Sequence, residues 1–493
     1  MTKSVTPGIG GDPHHPGRWI AMAVLLIASF MNLIDVTIVN VALPNLQQAF
    51  GAANSQIEWV VAVYILVFAL GLLPFGRLGD TYGRRRVFVT GVVVFSIGSA
   101  LCGMAPSMPS LIGARVVQGV GGAMMIPQTL AIAQVIFPPH ERAMAFSLFG
   151  LTAGLASVTG PVLGGLLIDA DIMGLGWRPI FLVNLPVGAF AIAAAIRYIP
   201  AIAGTKSLGN DYGGIALAGL AILCLVYPLI EGRELGWPVW AFAMMAASLP
   251  VLAVFLAWER RQKAKGAPEL LPFSLLANRN FLIGTAMSTL MFSGIPGFFM
   301  VLAIYLQNGF GLSPLQSGLT TLPFSVGVLI ASAISGRLGL KWPRRRISAG
   351  ALLLAASMIG LRYLVQGMGE EIVRWHFIAP LLAGGIGLGV AISPMFQTVL
   401  ANVPPRDAGS GSGALQAIQQ VGSAFGVALT GEIFFSKLVS GFAAGGKPHD
   451  VFGAAMMQAL IYSTLAFVTV ALIVRLLPKP PVSGPKVHVP VEA

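Results

Sequence analysis

The sequence predicts an all-α polytopic membrane protein with 14 transmembrane helices arranged 6+2+6. Three observations carry the prediction. Of the 493 residues 56% are hydrophobic and only 10% charged, where a soluble domain carries about 25% Asp, Glu, Lys and Arg, so an ordinary cytosolic protein is excluded. Fourteen apolar runs approach the ~20 residues that a helix needs to cross ~30 Å of hydrocarbon. The 30 Lys and Arg exceed the 18 Asp and Glu and fall in alternate gaps between runs. The 60 Gly and 33 Pro sit inside the apolar runs, which excludes collagen and polar disorder. Lipid offers no partner to an open backbone, and the short alternation of a membrane barrel is missing, so each run is a helix.

In chain order, residues 1–18 are rich in Gly, Pro and His and show no signal-peptide cleavage pattern. They form a cytoplasmic tail in which His14 and His15 are solvated. Runs near 19–40, 56–75, 87–105, 110–134, 143–168 and 179–199 build an N-terminal six-helix bundle over 19–200. Runs near 212–230 and 239–257 make an inserted hairpin, which with its flanking cytoplasmic loops covers 201–279. Asp169, Asp171, Asp211 and Glu231 fall at span ends and read as loop or cap residues. Runs near 281–305, 315–336, 347–366, 376–397, 410–434 and 452–477 build a C-terminal bundle over 280–477, and 478–493 are a second cytoplasmic tail.

An even number of spans puts both termini on one side, and the positive-inside rule selects it. Twenty-three of the 30 Lys and Arg lie on the side of the termini. Six lie on the other (Arg178, Arg233, Arg362, Arg374, Lys437, Lys447), and Arg115 lies within a span. The net charge of +12 therefore marks the cytoplasmic face of a multi-pass inner (plasma) membrane protein, and nucleic-acid binding loses its support. Cys102 and Cys224 lie in apolar runs and read as packing, not as a disulfide or metal framework.

The chain repeats itself. Gly76-Arg77-Leu78-Gly79-Asp80-Thr81-Tyr82-Gly83-Arg84-Arg85-Arg86 recurs as Gly336-Arg337-Leu338-Gly339-Leu340-Lys341-Trp342-Pro343-Arg344-Arg345-Arg346, seven identities at an offset of 260. Pro138-Pro139 and Pro404-Pro405 echo the same alignment. If the hairpin is an insertion, each copy follows the second helix of a six-helix unit, as in transporters built from two similar halves. Glycines allow a tight loop, Asp80 can face a helix N-terminus or an Arg, and the Arg cluster anchors the inner side.

This segment, with Gly76, Asp80, Gly83, Arg84 and Arg85 in register, resembles the G-x-L-x-D-x-x-G-R-R loop of the major facilitator superfamily, which implies the major facilitator fold and a latch between its halves. The second copy departs at Leu340 and Pro343, so latching there is not expected. The fifth run carries Gly150, Gly154, Gly160-Pro161 and Gly164-Gly165. Small residues let a neighbouring helix approach closely, and the proline bends the helix. The pattern is similar to the G-x-x-x-G-P-x-x-G-G motif of the antiporter branches. Trp177-Arg178-Pro179-Ile180-Phe181-Leu182-Val183-Asn184-Leu185-Pro186-Val187-Gly188 resembles the opening of the sixth span in the fourteen-span drug:proton antiporters.

Charges within spans are expensive and functional by default. Asp35 and Arg115 both fall in the outer half, roughly 24 Å above the start of the first run and roughly 8 Å below the outer start of the fourth. A buried carboxylate whose proton affinity depends on burial and on a nearby Arg can load and release a proton as access alternates. Gln118 and Gly119 stand in register with an R-x-x-Q-G pattern of the same superfamily. Asn32, Gln118, Glu58 and Glu432 are candidates for the substrate pathway, the two glutamates near the outer rim.

Enzymatic signals are absent. Gly441 to Pro448 matches a phosphate loop only until Pro448 replaces its Ser or Thr, and Gly409 to Gly413 lacks the register of a nucleophile elbow. No metal site is expected. With no ATP-binding domain, transport runs on the proton gradient without a cofactor. The expected function is exchange of protons for amphipathic, foremost cationic, drugs or toxic compounds by alternating access, with protons, small substrates and the lipid bilayer as partners; nothing indicates a periplasmic adaptor or outer-membrane partner. Export of an endogenous metabolite, siderophore, lipid or antibiotic stands as an alternative. A non-transporting sensor or scaffold, or a membrane acyltransferase, are rivals from other classes.

Overall fold

The computed structural model describes residues 17–477 apart from 53, 139, 233, 234, 340, 370, 371 and 402. Readings that rest on the outer parts of the two tails, on Pro139, Arg233 or Leu340 therefore lie outside the described residues. Among the described residues there is no strand. Fourteen helices are long and apolar enough to cross a membrane: α1 (Arg18–Phe50), α2 (Gln56–Tyr82), α3 (Arg84–Gly103), α4 (Met108–Ile136), α5 (Arg142–Asp169), α6 (Pro179–Tyr198), α7 (Tyr212–Glu231), α8 (Val239–Lys265), α9 (Arg279–Gly309), α10 (Leu315–Leu338), α11 (Pro343–Gln366), α12 (Arg374–Leu400), α13 (Pro405–Ala443) and α14 (Pro448–Leu476).

Several helices outrun the apolar stretches that mark them. α1 continues past residue 40 through Pro44 to Phe50, and α13 reaches Ala443, because a helix persists into the polar boundary where hydropathy no longer registers it. Local chemistry sets the starts. Ser107 and Ser110 form a reciprocal cap on α4, Ser313 and Gln316 do the same for α10, and the Asp211 and Asn278 side chains accept the first N–H groups of α7 and α9. Each such cap satisfies donors that would otherwise be orphaned in or near lipid. α6 is interrupted after Leu182 and resumes at Asn184.

Packing divides the helices into two groups with an intervening pair. α3 packs on α4, α2 on α4, α1 on α5, and α6 on α1 and α3. In the second group α10 and α11 pack on α12, α9 packs on α13, and α14 on α9, α11 and α13. The groups meet where α5 lies against α10 and α12 and where α2 and α4 lie against α13. α7 and α8 pair with each other, and α7 touches both α2 and α13. α8 exposes Val239, Leu249 and Val254, a surface suited to acyl chains.

Loop contacts define one face. Arg18 at the start of α1 meets Glu141 before α5 at 2.6 Å, the Thr205 N–H before α7 donates to the Asp80 carbonyl at 2.8 Å, and Gln134 near the end of α4 donates to the Val403 carbonyl at 3.2 Å. The segment Gly76 to Arg86 lies here too, so this is the basic face; the sequence suggests a loop, but the segment is helical except at Gly83.

Candidate functional site

A buried polar network crosses the N-terminal group. Asp35 on α1 and Arg115 on α4 lie in direct contact, with Arg115 Nη1 donating to Asp35 Oδ2 at 2.6 Å. Arg115 also donates to Gln118 Oε1 at 2.5 Å and through Nε to the Val60 carbonyl at 3.0 Å. The Tyr64 ring lies 4.3 Å from its guanidinium carbon. The other carboxylate oxygen, Oδ1, accepts from Gln118 Nε2 at 2.6 Å and from Asn184 Nδ2 at 3.1 Å, and both amides also reach Ser99 Oγ. Asp35, Gln118 and Ser99 are fully buried. A carboxylate and a guanidinium withdrawn from water hold together only when their remaining donors and acceptors are filled, and here four helices and Asn184 at the break in α6 fill them.

Helical spacing makes this possible. Arg115, Gln118, Gly119 and Gly122 share one face of α4 at steps of three and four residues. Gly122 is needed for clearance, since a Cβ there would stand 2.8 Å from Asn32 Nδ2 and 3.0 Å from the Tyr64 hydroxyl.

Beside the network is a cavity of about 810 Å³ between the two helix groups. Its walls are mostly apolar, among them Leu33, Ile65, Phe68, Phe149, Phe292 and Phe396. Asn32 and Tyr64 line it, as do Gln416, Gln419 and Gln420 on α13, while Glu58 and Glu231 lie at its rim away from the basic face. Among the described residues no Lys, Arg or His lines it. Of the substrate-pathway candidates, Asn32 and Glu58 therefore border the cavity. Gln118 is corrected: it lies behind the wall, its amide occupied by Asp35, Ser99 and Arg115. Glu432 is not among the residues lining this cavity; its carboxylate accepts from Trp237 Nε1 at 2.7 Å, which ties the loop between α7 and α8 to α13. Glu231 borders the cavity instead of merely ending a loop.

On the basic face the end of α2 and the start of α3, with only Gly83 between them, join the two groups. Asp80 Oδ1 accepts from Arg84 Nη2 at 2.7 Å and from the Gly409 N–H at 2.8 Å, and Oδ2 accepts from the Ser410 N–H at 2.7 Å. The carboxylate thus sits on the N-terminal turn of α13, where backbone donors and the helix dipole favour a negative charge. Arg77 meets Asp407 at 3.3 Å, Arg84 also donates to the Pro405 carbonyl, and Arg85 donates to the Ile199 carbonyl at 3.0 Å. Gly76 and Gly409 touch backbone to backbone, a Cβ on Gly76 falling 2.3 Å from the Gly409 carbonyl. Gly83 turns the chain at φ 104. The second copy makes no comparable bridge among its described residues: Arg346 donates to the Ser335 and Gly339 carbonyls and Arg344 to those of Val474 and Arg475, all within the second group.

The glycines of α5 serve two different contacts. Gly150 and Gly154 face Ser332 and Ser325 of α10, across the boundary between groups. Gly160 and Gly164 face Thr37 and Ile38 of α1, next to Asp35, while a Cβ on Gly165 would meet nothing within 4 Å. Pro161 lies inside the helix, directly after Gly160 in the second set.

Neutral partners escaped the sequence reading. Ser99 and Tyr64 look like ordinary span residues, and only Asn184 had a signal, its place in the motif that opens α6. Among the described residues no three His, Cys, Asp or Glu side chains gather as a metal site.

Residues 25–427 match the family model described as Major Facilitator Superfamily. A probable actinorhodin transporter of Streptomyces coelicolor is 39% identical, covering 87% of this chain and 75% of its own. The multidrug resistance protein Stp of Mycobacterium tuberculosis is 34% identical over 85% of this chain and 76% of its own. The solved structure of the human organic anion transporter MFSD10 covers 93% of this chain and 99% of its own with a TM-score of 0.65. At 14% identity that likeness concerns the fold alone.

Proposed function

The chain belongs to the Major Facilitator Superfamily, a family of transporters and not of enzymes, and from that premise we propose that it is a proton-coupled antiporter exporting amphipathic, foremost cationic, drugs or toxic compounds by alternating access. The observation that carries the proposal is the Asp35–Arg115 pair buried directly behind the wall of a large, mostly apolar cavity. Protonation of Asp35 removes the charge that Arg115 balances. Arg115 then keeps Gln118 Oε1, the Val60 carbonyl and the Tyr64 ring, so the cation stays in place while the carboxyl cycles. Relatives named for actinorhodin transport and multidrug resistance support an outward-directed drug exporter.

The positive-inside rule places the basic face in the cytoplasm. The seal around Asp80 then closes the cytoplasmic side, and the cavity rim at Glu58 and Glu231 belongs to the outside-facing state. Opening the cycle inward requires that the Asp80 cap on α13 be released. The aromatic lining and the absence of basic groups among the described residues of the wall favour neutral or cationic amphiphiles over anions.

A second reading, a dedicated exporter of one product, is favoured by the 39% identity to a relative named for a single compound. Inverted membrane vesicles separate the two. A drug exporter releases protons in response to many unrelated amphiphiles, and a dedicated exporter responds to one. Vectorial flux with no proton movement for any compound would sink the antiport proposal.

A further inference from the structure

The cavity and the Asp35–Arg115 pair are separated by very little. Tyr64 of α2 lies with its ring over the Arg115 guanidinium at 4.3 Å and also lines the cavity. Its hydroxyl accepts a hydrogen bond from the Asn32 amide of α1, which lines the cavity beside it. Asn32 stands one helical turn before Asp35 on the same helix. Phe68, stacked parallel to Tyr64 at 6.0 Å, continues the wall. Asp35 itself is fully buried and has no part in the cavity lining. Gly122 leaves room for the Asn32–Tyr64 contact and for nothing else, since a Cβ there would press on both side chains.

We propose that Asn32 and Tyr64 form a gate between the substrate cavity and the Asp35–Arg115 pair, opened when a substrate hydrogen-bonds to Asn32. The proposal rests on the antiport reading and adds the element that links substrate to proton. A substrate acceptor that takes the Asn32 N–H now given to the Tyr64 hydroxyl, or that draws the amide into the cavity, breaks that bond. Released, the phenol ring swings toward the cavity, water reaches the Asp35 carboxylate, and a proton can be exchanged there. By linkage the reverse holds: the protonation state of Asp35 that favours the open gate also makes Asn32 more available to substrate. Both residues are positioning residues in this scheme, since neither carries the proton.

Accessibility of Asp35 tests the gate without any transported compound. The purified full chain in detergent is treated with a water-soluble carbodiimide and glycine ethyl ester, and mass spectrometry follows modification of Asp35, with the buried Asp80 on the basic face as internal reference. The single hydrogen bond lost in Tyr64→Phe raises Asp35 labelling about fivefold. Tyr64→Ala, which also loses the stacking on the cation, and Asn32→Ala raise it about tenfold or more. Phe149→Ala, which enlarges the cavity from α5 without touching the pair, leaves it unchanged. If Tyr64→Ala loosens the whole fold, Asp80 labelling reports it, and Tyr64→Phe and Asn32→Ala decide. Wild-type labelling of Asp35 in both of those variants overturns the gate. The antiport reading fails on different evidence, namely transport that persists after Asp35→Asn.

Discussion

At the scale of the residue, the most consequential atoms are the two oxygens of Asp35, each with partners assigned: Oδ2 to Arg115, Oδ1 to Gln118 and Asn184. Cutting the neutral partner Asn184 removes one hydrogen bond to the carboxylate, together with one to Ser99, and leaves the charge pair intact. Asn184→Ala is therefore expected to slow proton-driven export about fivefold, the worth of a typical net hydrogen bond, with the folded protein retained; efflux from energised cells, normalised to membrane-inserted protein, checks it. Arg115→Leu is different in kind, because it strands a buried carboxylate, a defect on the order of 3–5 kcal/mol in buried pairs. It is expected to lower the thermal midpoint sharply, and pairing it with Asp35→Leu restores much of the loss, as a thermal scan of the double variant would show. Asp35 and Arg115 were legible in the sequence because a charge inside an apolar run stands out. Ser99 and Tyr64 were not, since hydropathy treats a lone neutral polar residue as an ordinary member of a span, and Asn184 showed only as a member of the motif that opens α6. Gln118 was singled out for its position beside Arg115, but its role as a bracket for Asp35 depends on a fold that brings α1 and α4 together.

At the scale of the element, α5 makes the clearest case. Its glycines form one motif in the sequence, yet Gly150 and Gly154 meet α10 while Gly160 and Gly164 meet α1. That division depends on which helix lies on which side, and periodicity alone does not contain it. Gly160 sits where a Cβ would come 1.9 Å from Thr37 Oγ1, whereas Gly165 faces open space. Gly160→Ala is accordingly expected to cost about 1–3 kcal/mol through overpacking and to disturb α1 beside Asp35, lowering both thermal midpoint and export. Gly165→Ala is expected to leave both unchanged. Equal effects in the two variants would remove the close approach of α1 and α5 as the reason for the motif. Helix ends were the other weak point of the sequence: α1 and α13 extend past their apolar runs because backbone hydrogen bonding continues where hydrocarbon does not. The pair α7 and α8 was visible as two apolar runs, but its contribution of Glu231 to the cavity rim was not, because nothing local to the hairpin says what it packs against.

At the scale of the whole molecule, the fold class was the most legible feature, since fourteen apolar runs and an alternation of basic loops leave few alternatives. Those basic residues do more than mark a face. Arg77 and Arg84 reach across to the start of α13, with Asp80 capping the same turn, so the boundary between the two helix groups is held shut by a small charge-assisted cluster. Asp80→Asn keeps the shape and weakens the two backbone bonds to α13. It is expected to shift the balance toward a basic face that is open by about tenfold, in line with the strength of hydrogen bonds to charged groups. Double electron–electron resonance between spin labels at the exposed Tyr82 and Arg406 would register this as growth of a longer-distance population. The central claim of the account is that export and proton movement share one carboxylate. The most direct test is purified protein in liposomes loaded with a pH-sensitive dye, comparing the native chain with Asp35→Asn under an imposed proton gradient and a transported amphiphile. The account predicts substrate-linked proton movement in the native protein and its loss in Asp35→Asn, with substrate binding retained; proton-coupled transport at the native rate in Asp35→Asn would contradict it.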